Sequence, residues 1–292
     1  MIGRWLLIVT ALFAPIVMAL FAPSLGWAQG FNLARGNNEE IQVYADEGVE
    51  WAADATRVIA RGNAKAIRGG VTVTADTLTA YYRDGVGGNE IWRLDADGHV
   101  TIQTKTETAT GRKASYDLEK AIFVLRGDPA KVVTPTDEVT ANDTLEYWEK
   151  ERMAVARGDA LAISKGRKIR SDVLTAHFRD GPKGELELRR ADGFGHVVLT
   201  TPKETVTGDR SDYNLETGIA TVAGSVKIIR DGNELNGGYA HVNLNTGISK
   251  LFGAAPGTAG DTRVRGTFMP EKQDPTQRRA VFKGAGSSAE QR

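Results

Sequence analysis

The sequence predicts an all-β protein built from tandem antiparallel hairpins. Residues 111–128, GRKASYDLEKAIFVLRGD, recur 97 residues later at residues 208–225 as GDRSDYNLETGIATVAGS. Such self-similarity indicates one supersecondary unit that is stacked repeatedly. Apolar and polar residues alternate as in half-buried strands, and no window keeps the 3.6-residue period of a helix. The turns are too short for helical crossovers, so neighbouring strands are expected to pair as antiparallel hairpins.

Composition agrees with this fold class and excludes several functions. The 292 residues include 33 glycines and only 7% aromatic residues, which suits short strands and turns better than a helical bundle. The 37 basic and 37 acidic side chains balance, and this argues against a general nucleic-acid binder. There is no cysteine, so disulfides, thiol catalysis and cysteine-based metal sites are excluded.

The N-terminal segment, residues 1–28, is predicted to be a secretory signal peptide. Arg4 precedes an almost unbroken apolar run at residues 5–22, and Gly26 and Ala28 supply the small residues of a cleavage site. The apolar run is also long enough to be a marginal membrane span, so a retained anchor is the alternative. Residues 29–40 are polar and are predicted to be a flexible lead-in. A cysteine-free exported protein suits a bacterial periplasm.

The repeat array is predicted over residues 41–269. Alternation begins at residue 41, and glycines then mark the start of each unit at spacings of 29 to 37 residues. These glycines are Gly62, Gly98, Gly127, Gly158, Gly195, Gly224 and Gly253. A longer period of 96 to 97 residues relates Gly62 to Gly158 and Gly98 to Gly195, which indicates a tandem duplication. Residues 262–268 are predicted to be one final strand, and residues 270–292 a disordered tail.

Each unit repeats one order of elements. A strand with apolar residues two and four positions after the glycine is followed by a turn, an aromatic-bearing strand, a second turn and a last strand. Alternation predicts that one apolar set faces inward and lines the interior. The set is Val100, Ile102, Tyr116, Leu118, Ile122, Val124, Tyr147, Met153, Val155, Val197, Leu199, Tyr213, Ile219, Val226 and Ile228.

Two interpretations of this interior stay open. Opposed apolar faces can form a closed, fully packed core. Small inward residues such as Ala64 and Ala160 can instead leave room for a groove that accepts acyl chains, with a gain of about 0.8 kcal/mol per buried CH₂.

The sequence gives little support for a catalytic site or a metal site. Asp76, Asp143 and Asp172 could be a carboxylate set for glycoside hydrolysis, but they occupy matching places in their units, which favours a role in turns or strand starts. His99 and His196 follow unit glycines, and no histidines stand at ligand spacing. Nucleophile, phosphate-binding and zinc-protease motifs are absent from the sequence. We therefore predict no catalytic residue, no metal and no cofactor.

The motifs resemble those of the LptA/OstA-like periplasmic proteins of lipopolysaccharide transport. The resemblance rests on RGNAKA and GVTVTADTLTAYY, then GRKASYDLEKAIFVLRGD, then DTLEYWEKERMAVARG, and covers about residues 41–253. It implies an elongated antiparallel β-jellyroll that is open at both ends and is not an enzyme. It also implies a periplasmic protein that holds the lipid A acyl chains of lipopolysaccharide in its interior and passes them from the inner membrane to the outer membrane.

The resemblance further implies partners. Jellyrolls of this family join end to end through their edge strands, to inner-membrane and outer-membrane transport components or to further copies in a head-to-tail homo-oligomer.

Two other functions remain as alternatives. A structural β-repeat scaffold that binds protein or glycan on its outer face predicts a filled interior with larger inward side chains. A carbohydrate-active enzyme predicts a unit that breaks the repeat with clustered acids or aromatics.

Overall fold

The fold is known from a computed structural model, which describes residues 40–51, 56–85, 88–181, 186–202, 204–243, 246, 248–257 and 263–269. The predicted signal peptide, nearly all of the lead-in and the predicted tail lie outside the described residues. In the part of the chain that is described, no helix is long and apolar enough to cross a membrane.

Eighteen strands make one sheet, in which every pairing among the described residues is antiparallel. In chain order they are β1 Gln42–Tyr44, β2 Gly48–Trp51, β3 Arg57–Arg68, β4 Val71–Gly85, β5 Gly88–Gln103, β6 Thr108–Asp117, β7 Ile122–Arg126, β8 Ala130–Val133, β9 Asp137–Ala141, β10 Thr144–Trp148, β11 Met153–Ser164, β12 Arg167–Asp180, β13 Leu186–Thr200, β14 Glu204–Asn214, β15 Ile219–Arg230, β16 Asn233–Asn243, β17 Ile248–Phe252 and β18 Arg265–Thr267. The all-β, antiparallel prediction is confirmed, and β18 lies within the predicted final strand.

The long strands bend in the middle at β-bulges. In β5 the register shifts between Asp97 and Val100, and the two residues between them, Gly98 and His99, both have positive φ, at 77° and 46°. The extra residues of a bulge kink the strand and increase its twist. The same pair of conformations recurs at Gly62–Asn63, Gly158–Asp159, Gly195–His196 and Gly224–Ser225. The expectation that these glycines open strands is therefore wrong: each lies inside a continuous strand, at its corner.

Glycine is required at the corner by a close approach as well as by its φ. A Cβ on Gly98 would lie 2.0 Å from Oδ2 of Asp76 on the neighbouring strand, and one on Gly195 would lie 2.0 Å from Oδ2 of Asp172. The same carboxylates lie 2.9 Å from Nδ1 of the histidines that follow the two glycines. These aspartates thus cover the bulges. Asp143 stands in the same way beside Gly158, so the three candidate carboxylates each serve a separate corner.

The corners divide the sheet into two layers. Each long strand contributes one arm to each layer, on either side of its corner. The A layer has the order β2-β3-β4-β5-β6-β7-β10-β11-β12-β13-β14-β15-β16-β17. The B layer has the order β1-β3-β4-β5-β6-β8-β9-β11-β12-β13-β14-β15-β16-β18. The two layers fold over each other as a β-jellyroll.

In the middle of the array, short strands replace long ones. The cis Asp128–Pro129 peptide separates β7 in the A layer from β8 in the B layer. A bend at Asn142 and Asp143 separates β9 from β10, and the backbone N–H groups of both residues donate to carbonyl groups at the β11 corner. Both layers therefore continue without a break from β2 to β17 and from β1 to β18.

The core lies between the layers. One cluster of buried residues joins Ile102 and Val132 of the B layer to Tyr116, Phe123 and Leu125 of the A layer. A second, smaller cluster contains Val222, Val226 and Ala240. Burial of these apolar faces against each other is the main force that holds the two layers together.

Candidate functional site

Register identifies the inner face of each layer. Side chains directly opposite each other on paired strands share a face of the sheet. Tyr116 is opposite Phe123, and Phe123 is opposite Tyr147; Leu125 is likewise opposite Leu145. All of these side chains belong to the core cluster or pack against it, so their face is the one turned toward the other layer.

Two cavities lie along this inner face. The first has a volume of about 250 Å³ and lies between the layers near β3 to β7. Leu78, Tyr82 and Leu94 line it from the A layer, and Val73 and Ile102 from the B layer.

The second cavity has a volume of about 160 Å³ and lies further along, near β9 to β13. Leu174, Phe178 and Leu188 line it from the A layer, and Ala162 and Ile169 from the B layer. The two cavities give the array an apolar groove with space between its walls.

Ten of the fifteen residues predicted to face inward lie on the inner face. Ile102 is opposite Ala109 and Val73, Leu199 is opposite Val206 and Ile169, and Ile228 is opposite Val206 and Leu235. The full set of ten is Val100, Ile102, Tyr116, Leu118, Tyr147, Val197, Leu199, Tyr213, Val226 and Ile228.

The other five, Ile122, Val124, Met153, Val155 and Ile219, lie on the outer face. Ile122 is opposite Asp117, and Ile219 is opposite Asn214. A one-residue difference in register moves a whole strand's side chains to the other face, and the length of the preceding turn sets that register. Val155 is nevertheless buried on the outer face, opposite Glu146 and Thr175.

When alternation is counted across the turn before a strand, it selects that strand's outer-face residues and misses its inner-face residues. Phe123 and Leu125 occupy the inner face of β7 in place of Ile122 and Val124, and Leu145 continues the row in β10. Pairing of Asp117 with Ile122 leaves four residues in the turn, and a turn of this length places Phe123 opposite Tyr116.

Few polar groups interrupt the groove, and burial perturbs them. The Tyr116 hydroxyl donates to Oε1 of Glu149 at 2.6 Å. Burial raises the pKa of Tyr147 to about 12, raises the pKa of Tyr213, and raises the pKa of Glu107 to about 7. Each of these groups is therefore held in its neutral form more firmly than in water.

The outer face has a different character, with ion pairs across neighbouring strands. Arg190 Nη2 lies 2.8 Å from Oδ1 of Asp192 and 2.6 Å from Oδ2 of Asp212. Burial raises the pKa of Asp212, and its hydrogen bond with Asp192 adds to that rise. Arg157 pairs with Glu146 on the same face at 2.9 Å. Such pairs favour solubility and register more than stability.

Within the described residues, no three or more histidine, aspartate or glutamate side chains form a group that could hold a metal ion.

Exposed apolar side chains concentrate at the two ends of the sheet. At the first end, β1 and β2 pair only with β3 in the described part of the chain, and Tyr44 and Trp51 are 55% and 79% exposed. At the other end, β17 and β18 pair only with β16 among the described residues, and Phe268 and Met269 are 69% and 67% exposed. In the part of the chain that the structure describes, both ends thus present unpaired strand edges with apolar side chains.

Comparison with known proteins bears on this architecture. Residues 42–147 match the family model described as LptA/(LptD N-terminal domain) LPS transport protein. The likeness to this family covers about a third of the chain. The matched residues contain β1 to β9, most of β10 and most of the lining of the first cavity.

Two individual proteins are also similar. An uncharacterized protein of Rhizobium meliloti (strain 1021) is 30% identical over 104 residues, which cover 34% of this chain. The chain spans about half of that relative, 54% of its length. The crystal structure of LptH, the LptA-homologous periplasmic component of the lipopolysaccharide transport device of Pseudomonas aeruginosa, aligns with a TM-score of 0.40 at 18% identity, over 46% of this chain and 95% of LptH.

Proposed function

We propose that this protein is a periplasmic lipopolysaccharide-binding transport protein that carries or bridges lipopolysaccharide from the inner to the outer membrane. The observation that carries the proposal is the apolar groove between the layers, with the family match over its first part as support. The location in the periplasm rests on the predicted signal peptide at residues 1–28.

The groove suits acyl chains in particular. Its walls are mainly aliphatic and aromatic, and burial favours the neutral form of the Tyr147 and Tyr213 hydroxyls. Burial of a chain releases about 0.8 kcal/mol per CH₂, so ten methylenes contribute about 8 kcal/mol before the cost of ordering the ligand. The inward face therefore supplies enough affinity without any energy source in the protein itself.

The open ends suit partners of the same fold. An edge strand with free N–H and C=O groups can pair with the edge of another sheet, and exposed apolar side chains such as Trp51 and Phe268 can be covered in the same contact. We propose inner-membrane and outer-membrane lipopolysaccharide-transport components, or further copies of this chain, as those partners.

Photo-crosslinking in cells tests the proposal with neighbouring positions as matched controls. A benzophenone amino acid replaces Phe123 or Leu174 on the inner face, and Val124 or Thr175 on the outer face. We expect adducts with lipopolysaccharide from the two inner positions only. The absence of adducts from the inner positions, or equal adducts from both faces, contradicts the proposal.

A further inference from the structure

The inner face of the B layer changes from apolar to polar at its last row. Ile102 and Ala109 face the core, and two residues further along the same strands Thr104 and Glu107 lie at the turn on the same face. The equivalent step in most neighbouring strands also reaches polar residues, with Val71 as the apolar exception opposite Arg68. We call this row the polar rim; its ionisable members are Arg68, Glu107, Asp137, Arg167, Glu204 and Arg230.

Three turns of the polar rim are built alike. In each, a threonine is followed three residues later by an acid, and the threonine Oγ1 accepts a hydrogen bond from the acid's backbone N–H. The distances are 3.0 Å for Thr104 and Glu107, and 3.0 Å for Thr201 and Glu204. The third turn, at Asp137, has the same bond at 2.9 Å. This turn fixes where each acidic side chain leaves the backbone.

The two glutamates differ in what faces them. Glu204 pairs with Arg230 across the ladder, and Arg230 donates from both Nε, at 3.1 Å, and Nη2. Thr108 pairs with Val133, so the next step of that ladder places Thr134 opposite Glu107. The hydroxyl of Thr134 already takes part in its own turn. Glu204 in the second copy thus has a cation opposite it, whereas Glu107 in the first copy has a threonine.

Oε1 of Glu107 is left buried without a hydrogen-bond partner. Its side chain belongs to a residue that is 8% exposed, and its Oε1 has no hydrogen-bond partner. A buried acceptor without a partner is destabilising, and this favours either a neutral carboxyl or a hydrogen bond to a group outside the chain. Burial is the cause that raises its pKa to about 7; the charged side chains of its own and adjacent turns are Lys105, Arg68 and Asp137.

We propose that Glu107 is a hydrogen-bonding subsite for the carbonyl oxygens that join the acyl chains of the ligand to its head group. The position fits, because an amphiphile with its chains between the layers has its ester and amide carbonyls at the end of the apolar lining. The protonated carboxyl donates its O–H to such an oxygen, whereas the carboxylate repels it. This inference rests on the proposed function and adds a pH dependence to it.

Titration of the purified protein with fluorescent lipopolysaccharide at pH 5.5 and pH 8.5 tests the subsite. For the natural protein we expect an affinity about tenfold lower at pH 8.5, the loss of one good hydrogen bond. E107Q keeps a neutral donor, so its affinity ratio between the two pH values reflects the ligand's own ionisation alone. E107L lacks a donor and is expected to bind about tenfold more weakly than the natural protein at pH 5.5.

E204Q is the matched control, because Glu204 occupies the same turn position but has its own cation. It is expected to keep the pH dependence of the natural protein. If E107Q shows the same pH ratio as the natural protein, or if E107L binds as tightly at pH 5.5, the subsite is refuted while lipopolysaccharide binding stands. If lipopolysaccharide binds to none of these proteins, the proposed function is refuted together with it. Circular dichroism of each variant verifies that its fold is intact.

Discussion

The two copies of the repeat, residues 111–128 and 208–225, have the same strand pairing but differ in the size of their inner-face side chains. In the first copy, Phe123 and Leu125 lie opposite Tyr116 and Ala114 and are 7% and 0% exposed. In the second copy, the same places opposite Tyr213 and Ser211 hold Ala220 and Val222. Large side chains let the first copy pack into the main cluster, whereas the second has a cluster of three buried residues. The two copies of the repeat therefore occupy the space between the layers with side chains of different size.

The largest difference is expected on truncating the packed residue. Leu125→Ala removes a fully buried side chain and leaves a cavity, which should lower the free energy of unfolding by about 4 kcal/mol. Val222→Ala removes two methyl groups from the looser cluster and should cost about 2 kcal/mol. Urea unfolding followed by circular dichroism measures both. Equal losses would show that the second copy is packed as tightly as the first.

The two rim glutamates should differ in what the loss of their charge does to stability. Because the folded pKa of Glu107 is about 7 and its ordinary value is 4.5, the folded state binds the proton more tightly. Stability from this group is present below pH 4.5 and is lost as the pH rises to 7, by about 3 kcal/mol. Glu107→Gln should therefore stabilise the protein at pH 8.5, with the gain vanishing below pH 4.5.

Glu204→Gln supplies the contrast for that prediction. It removes the partner of Arg230 and should destabilise the protein by about 1 kcal/mol at pH 8.5. Thermal unfolding at a series of pH values measures both variants. If Glu107→Gln is destabilising at pH 8.5, the carboxyl of Glu107 has a partner and the assignment of an unpaired group is wrong.

Substitution of the corner glycines should lower stability by the same amount at both equivalent positions. Gly98→Ala and Gly195→Ala each force a Cβ against an aspartate and require a positive φ of an alanine. We expect each to destabilise by about 2 kcal/mol, within error of the other. Differential scanning calorimetry measures the pair. A clear difference between them would show that the two corners do not carry equivalent strain.

The smallest effect on stability is expected from enlarging a small inner-face side chain of the second copy. Ala220→Phe places in the second copy the residue that Phe123 supplies in the first, and should change the free energy of unfolding by less than about 1 kcal/mol. The same change should weaken binding of lipopolysaccharide, because it occupies space that acyl chains need. Binding that is unaffected while the fold is retained would place the acyl chains elsewhere in the groove.

The sequence predicts much of this fold because its signals are local. Alternation, glycine spacing and the repeat period correctly give an antiparallel all-β array, and the aromatic strands supply Tyr116 and Tyr147 to the inner face. The faces of β7 and of the first arms of β11 and β15 are missed because each follows a turn, and one residue of turn length reverses the face of Ile122 or Ile219.

The corners show a second limit. The glycines are visible in the sequence, but a bulge inside a strand and a turn between strands both call for glycine. Only the pairing of Asp97 and Val100 with β6 shows that Gly98 belongs to a bulge. The orphaned carboxyl of Glu107 is likewise invisible in the sequence, because it depends on which residue the ladder places opposite.

Cysteine protection tests the central claim most directly, since the natural sequence has no cysteine and a single introduced thiol has no background. Ala220→Cys places a thiol on the inner face and Thr221→Cys places one on the outer face of the same strand. Labelling with a maleimide is measured with and without lipopolysaccharide. We predict that lipopolysaccharide slows labelling of the cysteine at position 220 severalfold and leaves position 221 unchanged. Equal protection of both positions, or of neither, would contradict a groove between the layers as the binding site.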